Sequence, residues 1–497
     1  MPLFDSRSLL LSAAIIAAPP VLAADHYLLV GGGADPLSSQ VSIESNVLWI
    51  ESLMANVPFS THQVLFAAGP DGPPDVVLHA PQDPEVQRWL PLARVYGEQK
   101  QALSVFRRNM VPGNLAASTK ARVTDTLGRT IGSLRSGDSL FLVYNGHGSF
   151  ESSRDTSKNA LRLWGGPQLN VREFGAALDK APTGATVRYL LPQCFSGGFT
   201  RSLARDPARP RASEVAPGRC GFFSVADNMI AEGCTPGVDV GEYRDYSTFF
   251  FAALAGHTRT GGALARNPDR DDDGRVSLSE AHEYAYTEGL SSDVPRATSE
   301  YYLELWQPWQ ARWQSFLPIA PDNPYAWRAQ RLAANLGLPT GSLAELGRSA
   351  FAQRHDLERR VVEASARLAE LREQEKKLRR PLDEDFRRQW PEGSQPNAST
   401  YPRFITVQAP AALEWIRNHP GYPALIEIQD HIERDELALL ELRRQAAGMA
   451  RVQRSLELAS LHENFLRRAS DQEHRTYDAL LACEAWSLPQ AKQTTTP

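Results

Sequence analysis

Ser139-Leu140-Phe141-Leu142-Val143-Tyr144-Asn145-Gly146-His147-Gly148-Ser149 reads as an apolar strand running straight into a glycine-flanked histidine. A second run of the same kind, Val187-Arg188-Tyr189-Leu190-Leu191, leads into Pro192-Gln193-Cys194-Phe195-Ser196-Gly197-Gly198. The two stretches lie one crossover apart, with a helical pattern near Val171 to Lys180 between them. Adjacent and parallel, such strands deliver His147 and Cys194 to the carboxyl edge of one sheet, where open α/β folds place their sites.

Working outward, the same alternation holds from Tyr27 to about Leu290. Short strands are expected at Tyr27 to Val30, Gln63 to Ala67, Thr186 to Leu191 and Gly221 to Ala226. Helices are expected from Ser42, from a Ser118 cap, and from Tyr246 to Ala255. Residues 69–117, rich in Pro and Gly, read as loop with a short helix. Continuous apolar strands separated by helices argue for an α/β fold whose mostly parallel sheet is covered on both faces. The chain has 497 residues, 42% hydrophobic and 22% charged, with a net charge of −5. That length calls for more than one domain, and that charge gives no electropositive field for nucleic acid. Gly31-Gly32-Gly33 follows the first strand without a GxGxxG or Walker loop, which argues against a nucleotide site.

The chemistry that fits the two strand ends is acyl transfer. A thiol is mostly protonated near neutral pH, so an imidazole must take its proton and later return it to a leaving amine. Backbone N–H groups of Gly148 and Cys194 are the natural donors to the oxyanion.

Together the two motifs resemble those of the caspase-like cysteine peptidases, the group of caspases, metacaspases, legumains and clostripain-like enzymes. The resemblance covers about residues 27–290. It implies a His147–Cys194 dyad, an endopeptidase acting on a peptide or protein substrate after a chosen P1 residue, and no metal in the chemical step. Pro192-Gln193 departs from the acidic-Ala pair common before the family's cysteine. By the same resemblance, Asp227 in Phe222-Phe223-Ser224-Val225-Ala226-Asp227-Asn228 stands where an acidic residue selects Arg or Lys at P1; the plain reading is a capping Asp after a strand. Arg201, Arg205, Arg209 and Arg211 mark a self-cleavage linker or an exposed loop.

A second motif is independent of the first. Asp269-Arg270-Asp271-Asp272-Asp273-Gly274-Arg275-Val276-Ser277-Leu278-Ser279-Glu280 matches the twelve-residue EF-hand loop. Asp269, Asp271 and Asp273 supply side-chain oxygens, Arg275 its carbonyl, Ser277 the often water-mediated ninth position and Glu280 two closing oxygens for Ca2+.

Residues 1–24 read as a signal peptide. Arg7 is followed by the apolar run Leu9 to Ala18, then Pro19-Pro20 and the small-residue site Val21-Leu22-Ala23. Export to a periplasm or the exterior is therefore expected, with no later membrane span. Of the four cysteines, Cys194 must stay free if it is a nucleophile, and Cys220 and Cys234 form the nearest pair in sequence, ahead of Cys483. Residues 291–346 read as a connector in which Trp306, Trp309 and Trp313 pack against the catalytic domain.

Residues 347–497 change character. Leu357, Val361, Ala364, Leu368, Leu371 and Leu378, broken by Glu375, give one coiled-coil-like seam, and Ile428, Ile432, Leu439, Leu442, Met449, Val452 and Leu456 give another. A Pro-rich stretch, 381–423, separates them, which predicts an antiparallel helical hairpin. Such a hairpin serves protein docking or self-association, or else packs on the catalytic domain. The whole chain thus reads as an exported, calcium-binding cysteine endopeptidase. The alternative is a catalytically silent caspase-like scaffold stabilised by calcium.

Overall fold

The computed structural model describes residues 23–55, 57, 60–307, 318–339, 341–395 and 397–489. The leader up to Leu22, and Trp309 and Trp313, lie outside the described residues.

The strands are β1 (Asp25–Gly32), β2 (Ser60–Phe66), β3 (Val76–His79), β4 (Ser104–Arg107), β5 (Asn114–Ala116), β6 (Ser139–Ser149), β7 (Ala160–Arg162), β8 (Gln168–Asn170), β9 (Thr186–Leu191), β10 (Arg219–Phe223) and β11 (Arg296–Ala297). The main sheet runs β11-β10-β9-β6-β1-β2-β5, parallel except at its β11 edge, and β7 and β8 extend the end of β6 antiparallel. This is the expected mostly parallel α/β sheet flanked by helices. Its inner strands are apolar throughout because both faces are covered. Along β6, Phe141 and Val143 face the helices Val41–Met54, Tyr246–Ala255 and Leu278–Glu288, whereas Leu140, Leu142 and Tyr144 face the helices Lys120–Ser133 and Val171–Leu178. Each such fully buried side chain stabilises the fold by roughly 1.5–3 kcal/mol.

Some expectations shift. Thr119, not Ser118, caps the helix Lys120–Ser133, its side chain accepting from the Arg122 amide. Residues 69–117 hold more structure than a loop: the antiparallel pair β3–β4, the helix Pro84–Tyr96 and the edge strand β5. Turn-rich composition hid strands of only three or four residues. The first long helix, Leu343–Gln389, passes through Pro381 instead of ending there. Pro381 is exposed, so water can serve the carbonyl that loses its N–H partner, and Leu382 and Phe386 just beyond it are buried.

The second long helix is Tyr422–Arg468, and the two form the expected antiparallel hairpin. Leu357, Ala364, Leu368, Leu439, Met449 and Val452 are buried in it, but Leu378 is 40% exposed and has left the seam. At Glu375 the seam turns polar, its carboxylate accepting from Gln429 Nε2 at 3.1 Å and Arg379 Nε at 3.1 Å. The hairpin is no free arm. Its distal half packs on the helix Pro84–Tyr96 through Leu92, Val95, Phe386, Leu425 and Ile428, and its proximal half packs on Tyr286, Tyr302 and Leu332 of the α/β domain and the segment after it. Trp306 packs edge-on against Phe465 of the returning helix, with ring centroids 5.0 Å apart.

The disulfide also differs from expectation. Cys220 pairs with Cys483, at a Cα–Cα separation of 6.0 Å, and Cys194 and Cys234 are free. Cys220 lies inside β10 under the terminal helix Asp471–Glu484, whereas Cys234 is on an exposed loop at the sheet's carboxyl edge. Nearness in sequence was a poor guide because β10 faces the helix from the far end of the chain. The cross-link closes a loop of sequence separation 263. Replacing both Cys220 and Cys483 by Ala should lower stability by about 3–5 kcal/mol in denaturant unfolding. A loss under about 1 kcal/mol would show that packing alone holds the terminal helix.

Candidate functional site at the carboxyl edge of the sheet

β6 and β9 are neighbours with Val143 opposite Leu190, so His147 and Cys194 each lie four residues past a register pair. The two chain segments touch. A Cβ added to Gly148 would lie 1.9 Å from the Cys194 carbonyl oxygen, so only glycine fits beside this cysteine. Tyr144, buried below, directs its hydroxyl at the carbonyls of His147 (2.9 Å) and Arg162 (2.8 Å), which pins the histidine's backbone.

Cys194 is presented on a sharp turn. Phe195 adopts φ +60°, a left-handed conformation that costs a non-glycine residue roughly 1 kcal/mol. Its N–H bonds the Met229 carbonyl at 2.7 Å, and its carbonyl accepts from Asn159 Nδ2 at 3.2 Å. Gly197 packs against the backbone of Val225, Ala226 and Asp227, and a Cβ there would lie 2.6 Å from the Asp227 nitrogen.

The ring of His147 is oriented by a loop that the sequence reading passed over. Its Nε2 lies 2.8 Å from the Ser38 carbonyl and 2.9 Å from Gln40 Oε1. A carbonyl can only accept, so Nε2 carries the proton and Nδ1 keeps the lone pair. Burial, more than any charge, lowers the proton affinity of this ring, so it is neutral near pH 7. The Cys194 thiol is half-buried and donates to the Ala231 carbonyl at 3.8 Å, not to the imidazole. Burial is the main reason its pKa is raised. The pair therefore rests as thiol and neutral imidazole, not as an ion pair.

Asp227 is half-buried beside this turn, and its carbonyl accepts from Asn159 Nδ2 at 2.6 Å. Among the described residues no cation pairs with its carboxylate. The rings of Phe150 and Phe195 meet in a tilted arrangement with centroids 5.3 Å apart, and Met229 and Ile230 are exposed on the loop that follows β10.

The acidic loop lies apart from this edge, at the start of the helix Leu278–Glu288. Carboxylate oxygens of Asp269, Asp271 and Asp273 come within 4.8 Å of one another. Gly274 takes φ +82° and donates to Asp269 Oδ2 at 3.0 Å, while Asp269 Oδ1 is buried without a hydrogen-bond partner among the described residues. That orphaned oxygen and the clustered hard donors fit a calcium ion. Glu280 is turned onto the amides of Arg270 (2.7 Å) and Ser277 (2.9 Å), and Ser277 caps the following helix. Arg275 donates to the Leu488 carbonyl at 3.3 Å, which ties the loop to the C-terminal tail.

His147, Gly148, Cys194 and Asp227, named from the sequence, are brought by the fold to one edge, and Ser38, Gln40, Asn159 and Ala231, which the sequence reading did not name, contact them there. The available signal was their place in loops following β1, β6 and β10, all at the same sheet edge.

No family model matches the sequence, and no curated protein does. Among solved structures, the chain is similar to protein GSU0716 from Geobacter sulfurreducens, a structural genomics target, at 15% identity and a TM-score of 0.32, over 55% of this chain and 92% of that one.

Proposed function

We propose that the protein is a calcium-binding cysteine endopeptidase of caspase-like type, exported from the cell. The observation that supports this most is the contact of Gly148 with the Cys194 carbonyl, which holds thiol and imidazole on one edge with the ring's protonated nitrogen tied away to Ser38.

In this reading the Cys194 sulfur attacks the scissile carbonyl while His147 Nδ1 takes the thiol proton. The Gly148 and Cys194 amides stabilise the tetrahedral oxyanion. The imidazolium returns the proton to the leaving amine as the C–N bond breaks, leaving a thioester on Cys194. Water, deprotonated by the same Nδ1, attacks that thioester and frees the thiol. The neutral resting pair makes the first proton transfer part of the attack. Asp227, half-buried and with no paired cation among the described residues, is suited to an Arg or Lys side chain at P1. Bound calcium, held by Asp269, Asp271 and Asp273 with Glu280 and the Arg275 carbonyl, would stiffen the entry to the helix Leu278–Glu288 and supply no chemical step.

Three tests follow. Peptide cleavage should fall at least ~10³-fold in Cys194→Ala and in His147→Ala, with the acid limb of kcat/KM lying below the ordinary imidazole value near 6.5 because the ring's pKa is lowered; a folded wild-type chain that cleaves no library peptide supports the scaffold reading instead. Asp227→Ala should lower kcat/KM for Arg or Lys at P1 by ~10²-fold and spare neutral P1 residues; an unchanged P1 profile removes this residue from the pocket. Calcium at a hundred times its Kd should add about 2.7 kcal/mol of stability, seen as a rise in Tm, and Asp271→Asn should erase it; equal melting in calcium and in chelator rules the site out.

A further inference from the structure

The loop after β10 touches Cys194 and is gripped from behind by the helical hairpin. Met229 gives its carbonyl to the Phe195 amide, and Ala231 gives its own to the Cys194 thiol. Farther along, Ser42 Oγ bonds the Gly233 carbonyl at 2.9 Å and the Thr235 amide at 2.9 Å. Glu232, next to Ala231, is held from the other side. Its amide donates to Asp293 Oδ1 at 2.8 Å, and its carboxylate accepts from the Ser292 amide at 2.8 Å and from Arg444 Nε at 3.0 Å. The Arg444 Nη2 makes the second bond of a fork, and the Glu232 side chain is only 11% exposed.

Arg444 belongs to the long helix Tyr422–Arg468. Two turns on, the buried Arg451 donates to the carbonyls of Tyr286 (3.0 Å), Gly289 and Asp293 (2.7 Å) and to Ser291 Oγ (3.0 Å). One helix face therefore holds both the cysteine's loop and the turn, 286–293, that supports the loop through Asp293. An arginine fork on a largely buried carboxylate fixes orientation as well as distance, which a lysine point charge does not.

We propose that Arg444 and Glu232 are positioning residues, through which the C-terminal hairpin sets the Ala231 carbonyl against the Cys194 thiol and so shapes the cleft for peptide. The role in cleavage rests on the peptidase reading; the clamp itself does not. The Ala231 carbonyl and the Glu232 amide belong to one planar peptide unit, so holding Glu232 by its amide on Asp293 and by its carboxylate on Arg444 restrains the carbonyl that meets the thiol. The hairpin's grip thus reaches the reacting sulfur in three steps, Arg444 to Glu232, Glu232 to Ala231, Ala231 to Cys194.

The test compares full-length wild type, Arg444→Met, Arg444→Lys and Glu232→Gln. Arg444→Met keeps the aliphatic stem and its packing. Two readouts are taken: iodoacetamide alkylation, resolved at Cys194 by peptide mass mapping because Cys234 is also free, and kcat and KM on a peptide substrate. Arg444→Met should alkylate Cys194 at least fivefold faster with kcat/KM down about tenfold, Arg444→Lys should fall between it and wild type, and Glu232→Gln should follow Arg444→Met. Wild-type alkylation and kinetics in Arg444→Met overturn the clamp even if the peptidase is active. Altered alkylation in a chain that cleaves no peptide upholds the clamp and removes the peptidase reading. A general loss of folding is separated from both by Tm: faster alkylation at Cys194 in step with Cys234, on a chain melting far below wild type, overturns the positioning role.

Discussion

The site depends on a backbone contact with no room for a side chain. β6 and β9 are parallel neighbours, and their ends meet where Gly148 lies against the Cys194 carbonyl. Everything that orients the two functional groups is built around that contact. The buried Tyr144 hydroxyl fixes the histidine's backbone from below, and the left-handed Phe195 turns the cysteine out of the strand. Strain at Phe195 persists because Met229 and Asn159 satisfy both of its backbone groups.

Around this edge the molecule is tied together from distant parts of the chain. The Cys220–Cys483 bond fastens the terminal helix to β10. Trp486, just beyond that helix, packs on Phe141 with ring centroids 5.9 Å apart, and its carbonyl accepts from the Leu278 amide at the end of the acidic loop. Between sheet and hairpin lies a buried ionic cluster in which Arg328 pairs with Glu283 and Glu300, and Arg454 with Glu300 and Glu304. Removing one partner of such a set would strand a buried charge, which is strongly destabilising. Glu300 stays ionised there despite the cost of burial because Arg328, the adjacent His282 and Arg454 hold its pKa well below the ordinary carboxylate range.

Local signals carried much of this into the sequence. Apolar strands ending in Asn-Gly-His-Gly and Gln-Cys-Phe-Ser-Gly-Gly are short-range patterns, and the acidic loop is contained within twelve residues. The hairpin's two seams are also local, since helical periodicity repeats along one segment. What stayed hidden depends on contacts between remote segments. Nothing near Cys220 announces Cys483, nothing near His147 announces Ser38 and Gln40, and nothing near Cys194 announces Arg444. Pro381 misled because a breaker's cost falls when its turn faces solvent and the next turn is buried.

The most direct measurement of the central claim is the capture of an acyl-enzyme. Rapid acid quench of the protein mixed with a peptide ester, followed by mass mapping, reads which side chain carries the acyl group. A thioester on Cys194 should form in wild type and be absent in His147→Ala. A folded wild-type protein that acquires no acyl group, or acquires it on Cys234 instead, would contradict that claim.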